Sequence, residues 1–303
     1  MESSYPNHLR LWEVPTNQAM DDLFGAPGAA LVTPHSPSHT ANRSDSVELA
    51  DQLFACESLK TRKTKKYDDG EPYSLQWFLN IENQRHGRNA RWIPKLLEFA
   101  KHPGEKLLGL GHGLGTDWLQ YARNGASVVV SCSCTSQMDL VQRNFQLRGL
   151  EGNFLHASPV ALPLENSSID VACINGLLQQ VDNPAAVIEE VYRVLKPGGK
   201  VIVVTLAKYD VDYFHRIFFF WHRWIWGKRQ RLEKGTRFSG RRLKKLFHRF
   251  EEHRVHKRQL HRTEVPHLWR VVPPVLLQRW IGRVLILKAF KPVSSALPAK
   301  AVA

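Results

Sequence analysis

Along the chain from residue 91, apolar residues alternate between short continuous runs and longer stretches with helical spacing. The runs KLLGL (106–110), ASVVVSC (126–132), SIDVACIN (168–175) and KVIVVTLA (200–207) predict buried strands, and NFLHA (153–157) predicts another. Between them, RWIPKLLEFA (91–100) and TDWLQYARNG (116–125) predict helices, the second closed by Gly125. SQMDLVQRNFQLRG repeats Met138, Val141, Phe145 and Leu147 at roughly helical spacing. PAAVIEEVYRVLKPGG places Ile188, Val191 and Leu195 on one helix face before PGG ends it. Strands separated by helix-length segments predict a doubly wound α/β sheet covered on both faces.

The flanks read differently. Residues 1–73 predict a flexible or loosely packed extension, because GAPGAALVTPHSPSHTANRS is rich in turn formers, with SVELADQLFA as a short helix within it. A compact domain is expected over 74–293, with a cap over 211–282 and a tail over 294–303. MESSYPNHLRLWEVP lacks the basic cluster and apolar stretch of a secretory leader, and no apolar run approaches the ~20 residues that span a bilayer. The expectation is a cytoplasmic protein, with peripheral attachment to a membrane surface left open.

Charge sharpens the picture of the late segment. The 303 residues carry a formal charge of +14, and residues 215–262 hold 16 Lys or Arg against Glu233, Glu251 and Glu252. Such asymmetry attracts the phosphates of nucleic acid or an anionic membrane; a solvated face with no partner is the other reading. Four cysteines, Cys56, Cys132, Cys134 and Cys173, form no disulfide framework, and 14 histidines form no HExxH or paired Cys/His set, so no metal is expected.

The stretch LLGLGHGLGTD (107–117) puts Gly111, Gly113 and Gly115 in a GxGxG pattern between a strand and a helix. Missing Cβ atoms let a ligand approach the backbone, and the following helix offers unpaired N–H groups. A crowded strand-to-helix corner would select the same residues. Position favours the ligand, since open α/β sheets bind at the carboxyl ends of their strands.

Together with VQRNFQLRGL, ALPLENSSIDVACINGLLQQVDNP and EEVYRVLKPGGKVIVV, this loop resembles the class I S-adenosylmethionine-dependent methyltransferases, type 11-like, over about Trp92 to Asp210. A weaker likeness continues to RVLILKAFKP, which is similar to the last strand of that fold. The resemblance implies a Rossmann-like, mostly parallel seven-stranded sheet and S-adenosylmethionine as cofactor. It implies cofactor contacts at Gly111, His112, Gly113 and Gly115, at Cys132 and Ser133 after the second strand, at Ser158 and Pro159 after the third, and at Asn175 and Gln179 after the fourth.

This chain departs from the family pattern at four places. The acid usual in the first strand is Gly109, the acid that binds the ribose is Cys132, the aspartate that addresses the adenine is Ser158, and the pair after the fourth strand is Gln179 and Gln180. A neutral thiol is a poor substitute for a carboxylate facing two hydroxyls. His112 and His156 read as packing residues rather than bases, and no side chain is nominated as catalytic.

YFHRIFFFWHRWIWGKRQR (213–231) sits where related enzymes carry a lid. On a helix, Tyr213, Ile217, Trp221 and Trp224 are the candidate acceptor contacts; core packing or dimerisation is the alternative. SGRRLKKLFHRF (239–250) predicts a helix capped by Ser239 with Leu243, Leu246, Phe247 and Phe250 inward, and EHRVHKRQLHR a strand. Two functions stand open: methyl transfer to a small, hydrophobic or lipid-like acceptor, or a cofactor-impaired scaffold that binds a protein, a membrane surface or RNA.

Overall fold

The computed structural model describes residues 73–87, 90–111, 113–218, 236–260, 269 and 272–293. Seven strands form one sheet: β1 (Lys106–Gly111), β2 (Ser127–Cys132), β3 (Asn153–His156), β4 (Ile169–Asn175), β5 (Leu195–Leu206), β6 (Glu251–Arg258) and β7 (Val284–Phe290), in the order β3-β2-β1-β4-β5-β7-β6. Strands β1 to β5 pair in parallel, and β7 runs antiparallel between β5 and β6. The chain steps outward from β1 to β2 and β3, then returns to β4 on the other side of β1. The β1–β4 boundary is therefore the topological switch point, where such sheets open a crevice at their carboxyl ends.

Eight described helices cover the sheet: α1 (Leu75–Arg85), α2 (Ile93–Leu97), α3 (Thr116–Arg123), α4 (Thr135–Gln146), α5 (Pro184–Val194), α6 (Val211–Phe218), α7 (Gly240–Leu246) and α8 (Pro274–Ile281). Period-two alternation along the strands sorts the core into two layers. Leu108, Leu110, Ala172, Ile174, Val201 and Val203 face one side and pack on Val187 and Val191 of α5, with Leu243 of α7 and Phe247 just after it. Leu107, Val128, Val130, Val171, Cys173 and Ile202 face the other, under Ile93, Leu97, Trp118, Tyr121, Val141 and Phe145 of α2 to α4.

The strand runs appear where the apolar pattern puts them, with three differences. The helix expected to run up to PGG stops at Val194: Leu195 is already extended and pairs with Ile169 before the register shifts to Val171 and Lys200. Pro197 contributes to the early end, because it disfavours the helical region for Lys196 and lacks the N–H that would bond Arg193 O. The helix expected over 91–100 is cut to Ile93–Leu97 by Glu98, which turns left-handed at φ 62°. Leu147, counted with the inward face, lies beyond the end of α4 and is 39% exposed.

Ser239 caps α7 by accepting a hydrogen bond from Arg242 N at 3.2 Å, and Leu243, Phe247 and Phe250 are buried as expected. Glu251–Arg258 is an edge strand of the same sheet, so this stretch of the expected cap is integral to the fold. The SVELADQLFA helix, residues 1–72 of the expected extension and the 294–303 tail lie outside the described residues, as does the 213–231 helix beyond Phe218. Among the described residues no helix is long and apolar enough to cross a membrane.

The amino end of the parallel sheet is closed by charge. Glu98 accepts hydrogen bonds from Lys200 Nζ and Lys288 Nζ, both at 2.7 Å, so α2, β5 and β7 meet at one buried carboxylate. Burial raises the tendency of this carboxyl to protonate, but the two lysines prevail and bring its pKa from 4.5 down to about 2. A depressed carboxyl stabilises the fold above its unfolded pKa and loses that contribution as pH falls through the folded value. Glu98→Gln is therefore expected to lower stability at neutral pH by about 3 kcal/mol, since Lys288 stays buried without its counter-charge. Urea unfolding between neutral pH and pH ~3 should show the difference from the unsubstituted chain shrinking toward the acid end.

Candidate functional site

At the switch point, Gly111 of β1 and Asn175 of β4 are register partners at the last position of their strands. Gly111 has φ 146°, and a Cβ there would overlap the Asn175 carbonyl oxygen. A Cβ on Gly115 would lie 2.7 Å from Val141 Cγ1. Both glycines serve a crowded corner. Gly113 differs: its φ is 128°, yet a Cβ there meets nothing within 4 Å. The motif thus divides, with its outer glycines selected by close packing and its middle one standing on open space.

The loop is held from beneath by α4. Gln137 Nε2 donates to the carbonyl oxygens of Gly111 and Gly113, each at 3.0 Å, and Asn144 Nδ2 donates to Leu114 O at 2.7 Å. Both amides are buried, at 2% and 0% exposure. With these carbonyls tied inward, loop carbonyls are withdrawn from the crevice side. From the other flank, Tyr73 and Phe78 of the α1 region pack on Leu114 and Leu140.

Behind the loop lies a buried carboxylate. Asp117, in the first turn of α3, accepts from Arg85 Nε at 3.0 Å and Arg85 Nη2 at 2.5 Å, from Asn175 Nδ2 at 2.5 Å, and pairs with His86 Nε2 at 3.0 Å. Burial disfavours its charge, but Arg85 and His86 outweigh that and hold the carboxyl well below the usual range. Asn175 is 5% exposed, and its Oδ1 is buried with no hydrogen-bond partner. This unmatched acceptor belongs to the register partner of Gly111, at the carboxyl end of β4.

The residues singled out in the sequence separate into two groups. Gly111, Gly113, Gly115 and Asn175 converge at the switch point, while Ser133, exposed, and Ser158, exposed, follow β2 and β3 at the same end of the sheet, with Pro159 half-buried beside Ser158. Cys132 does not join them. It is 1% exposed within the layer that holds Val128 and Val130, and burial, reinforced by Cys134, pushes its thiol up to about 12. Alternation sends this side chain into the core and leaves Ser133 at the exposed strand end.

Gln179 is also committed elsewhere, since its Oε1 accepts from Leu206 N at 3.0 Å and closes the end of β5. Exposed His156 hydrogen-bonds Ser133 O through Nε2 at 3.1 Å. Tyr213 begins α6 half-buried, its N–H donating to Asp210 Oδ1 at 2.9 Å. Ile217 lies on α6, and His112, Trp221 and Trp224 lie outside the described residues.

Gly109, where the family pattern has an acid, faces the Trp118 ring, and a Cβ would come within 2.8 Å of it. The carboxylate absent from β1 is thus matched on the same side of the sheet by Asp117 of α3. Sequence reasoning missed Asp117, Arg85, Gln137 and Asn144; polar residues inside otherwise apolar helix faces are the signal that could have found them. Among the described residues no cluster of metal-ligand side chains occurs.

The two glycine classes make distinct stability predictions. Gly113→Ala carries only backbone strain and is expected to cost about 1–3 kcal/mol. Gly111→Ala adds a collision with backbone and should cost more than about 4 kcal/mol or prevent folding. Thermal and urea unfolding of the two variants side by side measures the contrast.

Residues 107–203 match the family model described as a methyltransferase domain. The chain is 34% identical over 114 residues to a demethylmenaquinone methyltransferase of Clavibacter sepedonicus, covering 37% of this chain and 46% of that protein. It is 29% identical over 138 residues to the ubiquinone/menaquinone biosynthesis C-methyltransferase UbiE of Shewanella pealeana, covering 44% and 55%. The chain thus spans about half the length of the curated relatives it matches. A solved geranyl diphosphate C-methyltransferase from Streptomyces coelicolor A3(2) superposes with a TM-score of 0.49 at 14% identity, covering 73% of this chain and 86% of the other. With the strand order, the antiparallel seventh strand and the glycine loop at the switch point, the domain match gives this chain the class I S-adenosylmethionine-dependent methyltransferase fold.

Proposed function

We propose that the chain transfers a methyl group from S-adenosylmethionine to a small hydrophobic acceptor of the lipid or quinone class. The observation that carries this reading is the unpartnered Oδ1 of buried Asn175, register partner of Gly111 at the switch point, with open space at Gly113 two residues along the loop. Relatives named for demethylmenaquinone and for ubiquinone/menaquinone biosynthesis support the acceptor class.

In this reading the bound cofactor supplies a sulfonium-activated methyl group, and the chain's residues position it. The backbone of Gly113 lines the approach, and Asn175 Oδ1 accepts a hydrogen bond. Ser133 and Ser158 offer hydroxyls toward the ribose and adenine, and Pro159 an apolar edge. Fixing acceptor and methyl donor in line supplies much of the acceleration, so an already nucleophilic acceptor needs no protein base. Peripheral contact with a membrane belongs to the same reading, since acceptors of this class partition into bilayers.

A second reading, a scaffold with impaired cofactor binding, draws on one observation: the residue taking the place of the ribose-binding acid is a buried neutral thiol. Calorimetry with S-adenosylmethionine and its demethylated product separates the two. Micromolar binding that Gly113→Ala weakens at least about tenfold, beyond its effect on stability, is the expected result. No binding at millimolar ligand would overturn catalysis and leave the scaffold.

The ribose contact has its own test. Ser133→Asp, at an exposed strand end, is expected to tighten cofactor binding by about tenfold through charge-assisted hydrogen bonds. Cys132→Asp should give no such gain and should lower the unfolding midpoint, because it buries an unpaired carboxylate.

A further inference from the structure

We propose that the outer face of α8, joined to the turn that follows β5, is a docking surface for an anionic phospholipid bilayer; the purpose of such docking rests on the lipid-acceptor reading. The sequence of α8 is PVLLQRWI. Leu277 and Ile281, at 5% and 2% exposure, pack inward on Val211, with Phe214, Leu260 and Trp269 beside them. Leu276 and Trp280, four residues apart on another face, are 56% and 72% exposed. A surface helix ordinarily turns polar side chains to water. This one turns out a leucine and a tryptophan, with exposed Arg279 next to them.

The patch extends beyond the helix. Lys257 Nζ donates to the carbonyl oxygens of both Tyr209 and Trp280, which ties the turn after β5 to the end of α8. Tyr209 is 41% exposed, and Lys208 sits 5.5 Å from its ring centroid. Lys208 N donates to Phe238 O at 2.8 Å, bringing the start of α7, with exposed Arg241 and Arg242, toward the same turn. The nearby acids are already matched: Asp210 pairs with Arg237 and Asp212 with Arg283. The outward charge of this region is therefore positive.

Exposed Trp and Leu framed by Lys and Arg is the composition of an interfacial membrane contact, in which the rings enter the headgroup region and the cations meet lipid phosphates. Phosphate attraction alone would also suit RNA, but RNA gives an exposed leucine nothing to bury against. The location fits as well. β5 ends at Leu206 and β7 begins at Val284, so the patch lies at the carboxyl end of the parallel strands, the end that carries Gly113. A bilayer docked there faces the same end of the sheet as the crevice.

Cosedimentation of the full chain with vesicles of phosphatidylcholine, alone or with roughly one-third phosphatidylserine, tests the surface. Binding is expected to the anionic vesicles and to be much weaker on neutral ones. Leu276→Asp and Trp280→Ala should each reduce it at least about tenfold, and Arg279→Glu about fivefold or more. These side chains point to solvent, so the unfolding midpoints should stay unchanged, and the Lys257 bonds go to backbone that the substitutions keep.

Absence of binding to anionic vesicles, or variants that bind like the parent chain, overturns the proposal. So does a self-association or a single-stranded RNA complex that Leu276→Asp abolishes while vesicle binding persists. Cofactor calorimetry on the same preparation keeps the two readings apart. Cofactor binding without vesicle binding removes the docking surface alone, and vesicle binding without cofactor binding removes the methyl-transfer reading alone.

Discussion

The carboxylate of Asp117 is the interaction on which the candidate site depends. An ionised carboxyl at 2% exposure is costly to bury unless its oxygens are matched. Its partners come from two other parts of the chain: Arg85 and His86 at the end of α1, and Asn175 at the end of β4. Satisfying one charge thus fixes a helix that lies across the glycine loop, the helix that follows the loop, and the strand that faces it. The same contact orients Asn175, because its amide nitrogen is engaged with Asp117 and its oxygen is left for another partner.

The two ends of the sheet use charge in opposite ways. At the amino end, Glu98 is enclosed by Lys200 and Lys288, and its carboxylate finds both counter-charges inside the protein. At the carboxyl end, the network around Asp117 stops one acceptor short, and the adjoining glycine is bare. A closed cluster locks layers together; an incomplete one leaves room for a molecule from outside.

Much of the fold was legible because its signals are local. Continuous apolar runs mark strands buried on both faces, and the class of sheet follows from their spacing. The Ser239 cap and the inward residues of α7 were equally readable. The site was less so. Arg85 and Asp117 are 32 positions apart and meet only when α1 folds over α3. The glycine pattern is uniform in sequence, whereas space around its members is not: Gly111 and Gly115 are enclosed, and Gly113 is open. The burial of Cys132 follows from alternation, which a strand's last residue still obeys. Counting in twos from Val128 and Val130 directs it inward, and the exposed end passes to Ser133.

The contact between Gly109 and Trp118 couples two positions. With the indole ring seated where a Cβ at 109 would lie, the two positions are interdependent in this backbone. A side chain enters position 109 only if the ring gives way, so a carboxylate restored on β1 calls for a smaller residue at 118 in the same step.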